Sequence, residues 1–204
     1  MTKVWLTHCA CLDKQELFLS AMEVVSPYRR EKVNHAKSLA SKRQVLGAGI
    51  LLAHALNSRG LREREMSYQI EKSGKPFLKT APNLFFSLSH SENWALCALG
   101  DDCVGADVQT FVKYVPRVAR RCFLPKDAAR LEKMKETARD EEFTRLWAAR
   151  ESQVKWLGGW NKGREFPPVK EYFELNQIRI AVCTWDECCN EVCQVDLLNI
   201  IETI

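Results

Sequence analysis

Two long helical runs, at about 38–57 and 140–157, stand among apolar strand-like runs at 3–8, 84–89, 94–99 and 103–109. Together they predict an α+β fold. With 204 residues, 46% hydrophobic and 27% charged, the chain can bury an ordinary core in one or two compact units. No apolar run approaches the 18 residues that would suggest a membrane span, and the N-terminal stretch is too short for a secretory signal. A cytoplasmic protein without a membrane partner is expected.

Residues 3–8 read as a strand, and an amphipathic stretch begins near Asp13. Ser26-Pro27 offers a helix cap followed by proline at the first helical position. From Ser38 to Asn57 the residues Leu39, Leu46, Ile50, Ala53 and Leu56 recur at helical spacing, closed by Gly60. Gly47 and Gly49 inside this helix each cost about 1 kcal/mol relative to Ala. They imply close approach by a neighbouring element. Residues 67–71 alternate as a strand, and Gly74-Lys75-Pro76 reads as a loop.

The runs 84–89 and 94–99 form two buried arms around a bend rich in Ser87, Ser89, His90 and Ser91. In 103–109, alternation puts Val104, Ala106 and Val108 on one face and Gly105, Asp107 and Gln109 on the other. Aspartate is depleted in strands, so Asp107 in this apolar setting needs a partner. Beyond it, Leu124-Pro125 starts a helix, and a longer one runs from about Asp140 to Leu157, stopped by Gly158-Gly159. On that helix Phe143, Trp147, Arg150, Val154 and Leu157 share a stripe, with Trp147, Glu151 and Lys155 aligned beside it. Residues 172–185 read as one or two closing strands; the tail after Cys188 is uninformative.

Nine cysteines suit free thiols in a reducing compartment. Cys183, Cys188, Cys189 and Cys193 cluster in sequence, but at the wrong spacing for a common zinc motif. Buried free thiols are expected there, not a structural metal. Net charge is +4, and the excess lies in the first half of the chain. Arg29, Arg30, Lys32, Lys37, Lys42 and Arg43 face only Glu31 as an acid, a pattern of either a solvated face or an anion-binding one.

Taken separately, the polar features have plain explanations. Glu151 and Lys155 fit a surface helix pair worth ~0.3 kcal/mol. Ser89 and His90 fit a turn, and Asp107 fits an ion pair with a nearby arginine. In chain order, however, "GKPFL" (74–78), "FFSLSHSENWALCAL" (85–99), "VGADVQ" (104–109) and "LWAARESQVKWLGG" (146–159) resemble the motifs of the surfactin-type 4'-phosphopantetheinyl transferases. "SPYRREKV" (26–33) and "KRQVLG" (42–47) look like upstream family segments. The short length and early finish are closer to the bacterial holo-acyl-carrier-protein synthase branch.

The resemblance implies two pseudo-symmetric α/β halves, 1–103 and 104–204, with the active site at their interface. It implies transfer of the phosphopantetheine arm of coenzyme A to a serine of an acidic apo carrier protein, releasing 3',5'-ADP. Asp107 and Glu151 match the magnesium ligands, Glu151 also the base, and Lys155 a phosphate-stabilising cation. Lys75, Ser89 and His90 match coenzyme A contacts, with Arg29, Lys32 and Arg43 as a basic rim. Two positions depart from the family pattern: Gln109 stands where a second acid is common, and Arg150 stands where lysine usually precedes the glutamate. They keep a non-catalytic coenzyme A- or carrier-binding module as the alternative. A nucleic-acid binder resting on 29–43 is the other rival, but aromatics do not interleave with that run beyond Tyr28. A chain holding both halves is expected to be a monomer. Which carrier protein is served is not encoded legibly.

Overall fold

A computed structural model describes residues 1–159, 166–174 and 178–203. The first strand, β1 (Lys3–His8), is followed by α1 (Gln15–Val24), α2 (Pro27–His35) and α3 (Leu39–Asn57). Ser26 caps α2 by accepting from Arg29 N at 3.3 Å, with Pro27 at the first helical position, and Ser38 caps α3 by accepting from Ser41 N at 3.0 Å. The expected close approaches at the α3 glycines are present. A Cβ on Gly47 would meet Cys9 Sγ at 2.3 Å, and one on Gly49 would meet Val25 of the segment before α2 at 3.3 Å.

Two short strands, β2 (Tyr68–Ile70) and β3 (Pro76–Leu78), pair across Gly74, whose φ of +90° closes the turn. Then β4 (Phe85–Ser91) and β5 (Trp94–Gly100) form a hairpin. Antiparallel pairing of β5 with β1 extends it, and a short β9 (Cys193–Gln194) joins β1 in parallel to complete the order β4-β5-β1-β9. The second sheet is antiparallel, in the order β6-β8-β7, from β6 (Val104–Gln109), β7 (Val169–Glu174) and β8 (Ile178–Thr184).

Between β6 and β7 lie α4 (Pro116–Cys122), α5 (Pro125–Glu132) and α6 (Glu136–Leu157). The chain ends with α7 (Leu197–Thr203), whose Leu197 and Ile200 enter the α3 core. Thus the last strand and helix pack on the first half of the chain, and a boundary at residue 103 leaves them on the opposite side from their sequence neighbours. The tail carried no readable pattern because β9 is two residues long and α7 only seven. The helix α4, likewise, was not anticipated.

Val104, Ala106 and Val108 enter a core with Val4, Leu6, Leu96, Ala98, Ile180 and Val182, as alternation required. The buried face of α6, by contrast, is not the expected apolar stripe. It comprises Asp140, Phe143, Thr144, Ala148 and Ser152, while Trp147, Val154 and Leu157 are only half-buried. Small and hydrogen-bonded residues occupy that face because α6 packs against β6 with backbone nearly touching backbone. A Cβ on Gly105 would lie 2.0 Å from Ser152 O and 2.3 Å from Trp156 N. Asp140 and Thr144 meanwhile hold the 110–115 loop, accepting from Tyr114 N at 2.8 Å and Val112 N at 3.0 Å.

Candidate active site

The serine-rich bend has a structural answer. β4 and β6 are edge strands of different sheets, and serine hydroxyls bridge them where backbone pairing is missing. Ser87 Oγ accepts from Ala106 N at 2.8 Å, Ser89 Oγ from Val108 N at 3.3 Å, and Ser91 Oγ from Thr110 N at 3.1 Å. Alternate residues of a strand share a face, so the spacing 87, 89, 91 puts all three hydroxyls toward β6. Replacing Ser87 by Ala strands a buried N–H, which costs about 1–3 kcal/mol. A thermal melt of Ser87→Ala should show the drop, and an unchanged melt would remove the hydroxyl bridge from the account of how the sheets join.

Ser89 also donates to Asp107 Oδ1 at 2.6 Å. Lys155 Nζ donates to the same oxygen at 2.6 Å, and Gln109 Nε2 donates to Oδ2 at 2.8 Å. Asp107 is thereby paired inside the protein, with only 2% of its surface exposed. The partner it needed is a lysine from α6, not an arginine. Glu151, one turn before Lys155, is half-buried. Burial first, and Asp107 second, push its carboxyl above the ordinary glutamate range, against the pull of Lys155 and Arg150. Asp107, Glu151 and Lys155 are therefore brought together from positions far apart in the chain.

The remaining predicted residues divide. His90 is exposed at the end of β4, yet both Lys155 and Asp107 act on it. Desolvation of its ring lowers the imidazole below the ordinary value, Lys155 adds to this, and Asp107 opposes it. Lys75 is turned inward. Its Nζ donates to Val104 O at 3.1 Å and Trp156 O at 3.4 Å, and it meets Cys103 Sγ at 3.4 Å. A cation placed on a carbonyl of the last helical turn is favourable, so Lys75 clamps the end of α6 to the start of β6.

Arg29 is buried among aromatic rings, its guanidinium 5.3 Å over Tyr68 and 5.5 Å over Phe86, with Glu63 at 3.9 Å. Among the described residues, two of its nitrogens, Nε and Nη2, have no hydrogen-bond partner. A cleft of about 330 Å³ opens beside it, lined also by Ser73, Lys75, Phe86, Ser87 and Lys155. Lys155 joins this cleft to the Asp107 cluster. Lys32 is exposed, 5.5 Å over Tyr28. Arg43 pairs with Asp13 and does not line this cleft.

Sequence reasoning missed the part played by Gly105, although a glycine inside a buried strand is itself a sign of close backbone approach. Among the described residues, no group of three or more His, Cys, Asp or Glu side chains converges to hold a metal. Asp107 and Glu151 are two acids, and the third position of the set is the amide Gln109. The clustered cysteines are not uniformly buried as expected. Cys183 is buried, whereas Cys188 and Cys189 are partly exposed and Cys193 is exposed, because they follow β8 on a surface segment. No helix among the described residues is long and apolar enough to cross a membrane.

An acid on a buried strand is thus joined to the lysine of a helix that carries a second acid, beside a cleft lined by Arg29, Lys75 and Lys155. Residues 103–194 match the model of the 4'-phosphopantetheinyl transferase superfamily. A 4'-phosphopantetheinyl transferase of Bacillus subtilis is 28% identical over 72% of this chain and 64% of its own length. The 4'-phosphopantetheinyl transferase gsp of Aneurinibacillus migulanus is 22% identical over 83% of this chain and 64% of its own. For Sfp of Bacillus subtilis strain 168, also a 4'-phosphopantetheinyl transferase, the values are 24%, 76% and 67%. By these matches the chain resembles the 4'-phosphopantetheinyl transferases. The chain spans less than two thirds of the length of the first two of these relatives.

Proposed function

We propose that the chain transfers the 4'-phosphopantetheine arm of coenzyme A to a serine of an acidic apo carrier protein, releasing 3',5'-ADP. The observation that carries this reading is the junction of Asp107, Glu151 and Lys155 beside the cleft of Arg29 and Lys75. In the proposed architecture two pseudo-symmetric halves, 1–103 and 104–204, meet at the active site. A long helix against a sheet in each part, α3 on β5 and α6 on β6, supports it. The protein would act as a cytoplasmic monomer with no nucleic-acid or membrane partner.

In this reading Glu151 takes the proton of the attacking serine hydroxyl, directly or through a water. Its raised affinity for protons suits a base working near neutral pH. A bond forms from the serine oxygen to the pantetheine-side phosphorus as the bond to the 3',5'-ADP oxygen breaks. Lys155 stabilises phosphate charge from its place on Asp107. Arg29, Lys32, Lys75 and His90 contact coenzyme A, with Arg43 on the outer rim. Ser89 contributes by orienting Asp107.

Magnesium belongs to the proposal. Asp107 and Glu151 offer hard oxygens, and the repulsion between them is relieved by a cation. A divalent ion that takes one or two carboxylates plus substrate phosphates fits this donor set. Such an ion would offset negative charge on the pyrophosphate. Gln109 leaves one negative charge fewer than a second acid would, so weak metal affinity is expected.

The test mixes the protein with coenzyme A, Mg²⁺ and an apo carrier protein and reads the carrier by mass spectrometry. Gain of the phosphopantetheine mass is expected. Retained coenzyme A binding without that gain would replace the enzyme by a binding module. Arg150, which donates to Gln153 Oε1 at 3.3 Å and lies 5.3 Å from the centre of the Phe166 ring, serves as a structural cation. Arg150→Lys should therefore change turnover by less than about tenfold, a change of ~1.4 kcal/mol in the barrier. A rise of about a hundredfold would show instead that arginine impairs the natural helix.

A further inference from the structure

We propose that Cys188 and Cys189 form a modification site for soft electrophiles that bind two adjacent sulfurs at once, with trivalent arsenicals as the class that fits. The two thiols lie beyond the end of β8, on a segment that pins the N-terminus. Thr2 N donates to Glu187 O at 2.7 Å, and Cys189 N donates to Thr2 O at 2.9 Å. Tyr172 of β7 reaches both cysteines. Its hydroxyl donates to Cys189 O at 2.6 Å and lies 3.0 Å from Cys188 Sγ and 3.9 Å from Cys189 Sγ.

Lys170, two residues before Tyr172, donates to Cys188 O at 3.2 Å and adds positive charge at the site. Both thiols are partly exposed, and Cys188 lines a cavity of about 490 Å³ with Lys170 and Thr184. This cavity shares no lining residue with the Arg29 cleft. Cys9, Cys97 and Cys183 are buried, so the Cys188–Cys189 pair combines adjacency with access. The Cys188 thiol donates toward the Cys189 sulfur and, with the nearby Tyr172 hydroxyl, lowers its proton affinity, against the effect of burial. Cys189 is thus the first nucleophile, since the thiolate is the attacking form.

The step conserves oxidation states. The two sulfurs each form a bond to arsenic, the arsenic–oxygen bond of an arsenoxide breaks, and the two thiol protons leave with that oxygen as water. Phenylarsine oxide added to the full chain should give one bridged adduct, with peptide mapping placing it on residues 188 and 189. Tyr172→Phe should slow its formation several-fold, and Cys189→Ser should abolish the bridged product. A label on another pair of cysteines, or an unchanged adduct in folded Cys189→Ser, would overturn the proposal. If that variant fails to fold, the map on the unaltered chain decides alone. The outcome is independent of whether the protein transfers phosphopantetheine.

Discussion

Glu151→Gln is expected to lower phosphopantetheine transfer by ~10²–10⁴-fold, the range for loss of a positioned general base. The same change should leave the fold as stable as before or more so at neutral pH. Burial and Asp107 raise the Glu151 carboxyl in the folded chain. An acid bound more tightly to its proton when folded costs stability wherever the unfolded chain would be ionised. That cost is absent below the unfolded value and fully present above the folded one. The melting temperature of Glu151→Gln, relative to the unaltered chain, should therefore rise toward pH 7 and show no gain at acid pH. Full turnover in Glu151→Gln would take the base role from this residue. A lower melting temperature at pH 7 would instead show that the carboxylate is paired, not repelled.

Gly105→Ala is expected to be the most damaging added methyl among the described glycines. The added carbon would meet Ser152 O at 2.0 Å and Trp156 N at 2.3 Å, both backbone atoms of α6 that no rotamer change can move. Overpacking costs about 1–3 kcal/mol and occasionally more, and a clash with helix backbone belongs at the top of that range. At ~2–4 °C per kcal/mol for a chain of this size, a fall of roughly 6–12 °C in melting temperature should follow. Transfer should fall too, because Gly105 and Asp107 share a face of β6 and the same contact brings Asp107 to Lys155. A melt within ~2 °C of the unaltered chain would mean that β6 and α6 separate easily.

Much of the site was legible in residue type and order. Asp107 announced itself as an acid on an apolar strand, and Glu151 and Lys155 as neighbours on one helix. What those groups do to one another was less legible. Ser89 resembles a phosphate contact, yet its hydroxyl is engaged by Asp107 and Val108 N. Lys75 lines the cleft as a nucleotide contact would, yet its ammonium also holds the carbonyls of Val104 and Trp156. The face of α6 that is buried could not be read from hydropathy, because packing against Gly105 selects small residues there over apolar ones.

The sequence by itself determined the local elements: the capped α2 and α3, the β4–β5 hairpin, and the alternation that turns Asp107 away from the valines of β6. Each follows from backbone sterics and side-chain spacing within a few residues. Only the tertiary structure decided that serines would bridge two sheet edges, that β9 and α7 would return to the first sheet and its helix, and that Lys155 would meet Asp107. Those outcomes depend on groups from 19 to 188 residues apart, whose meeting is set by how closely two backbones pack.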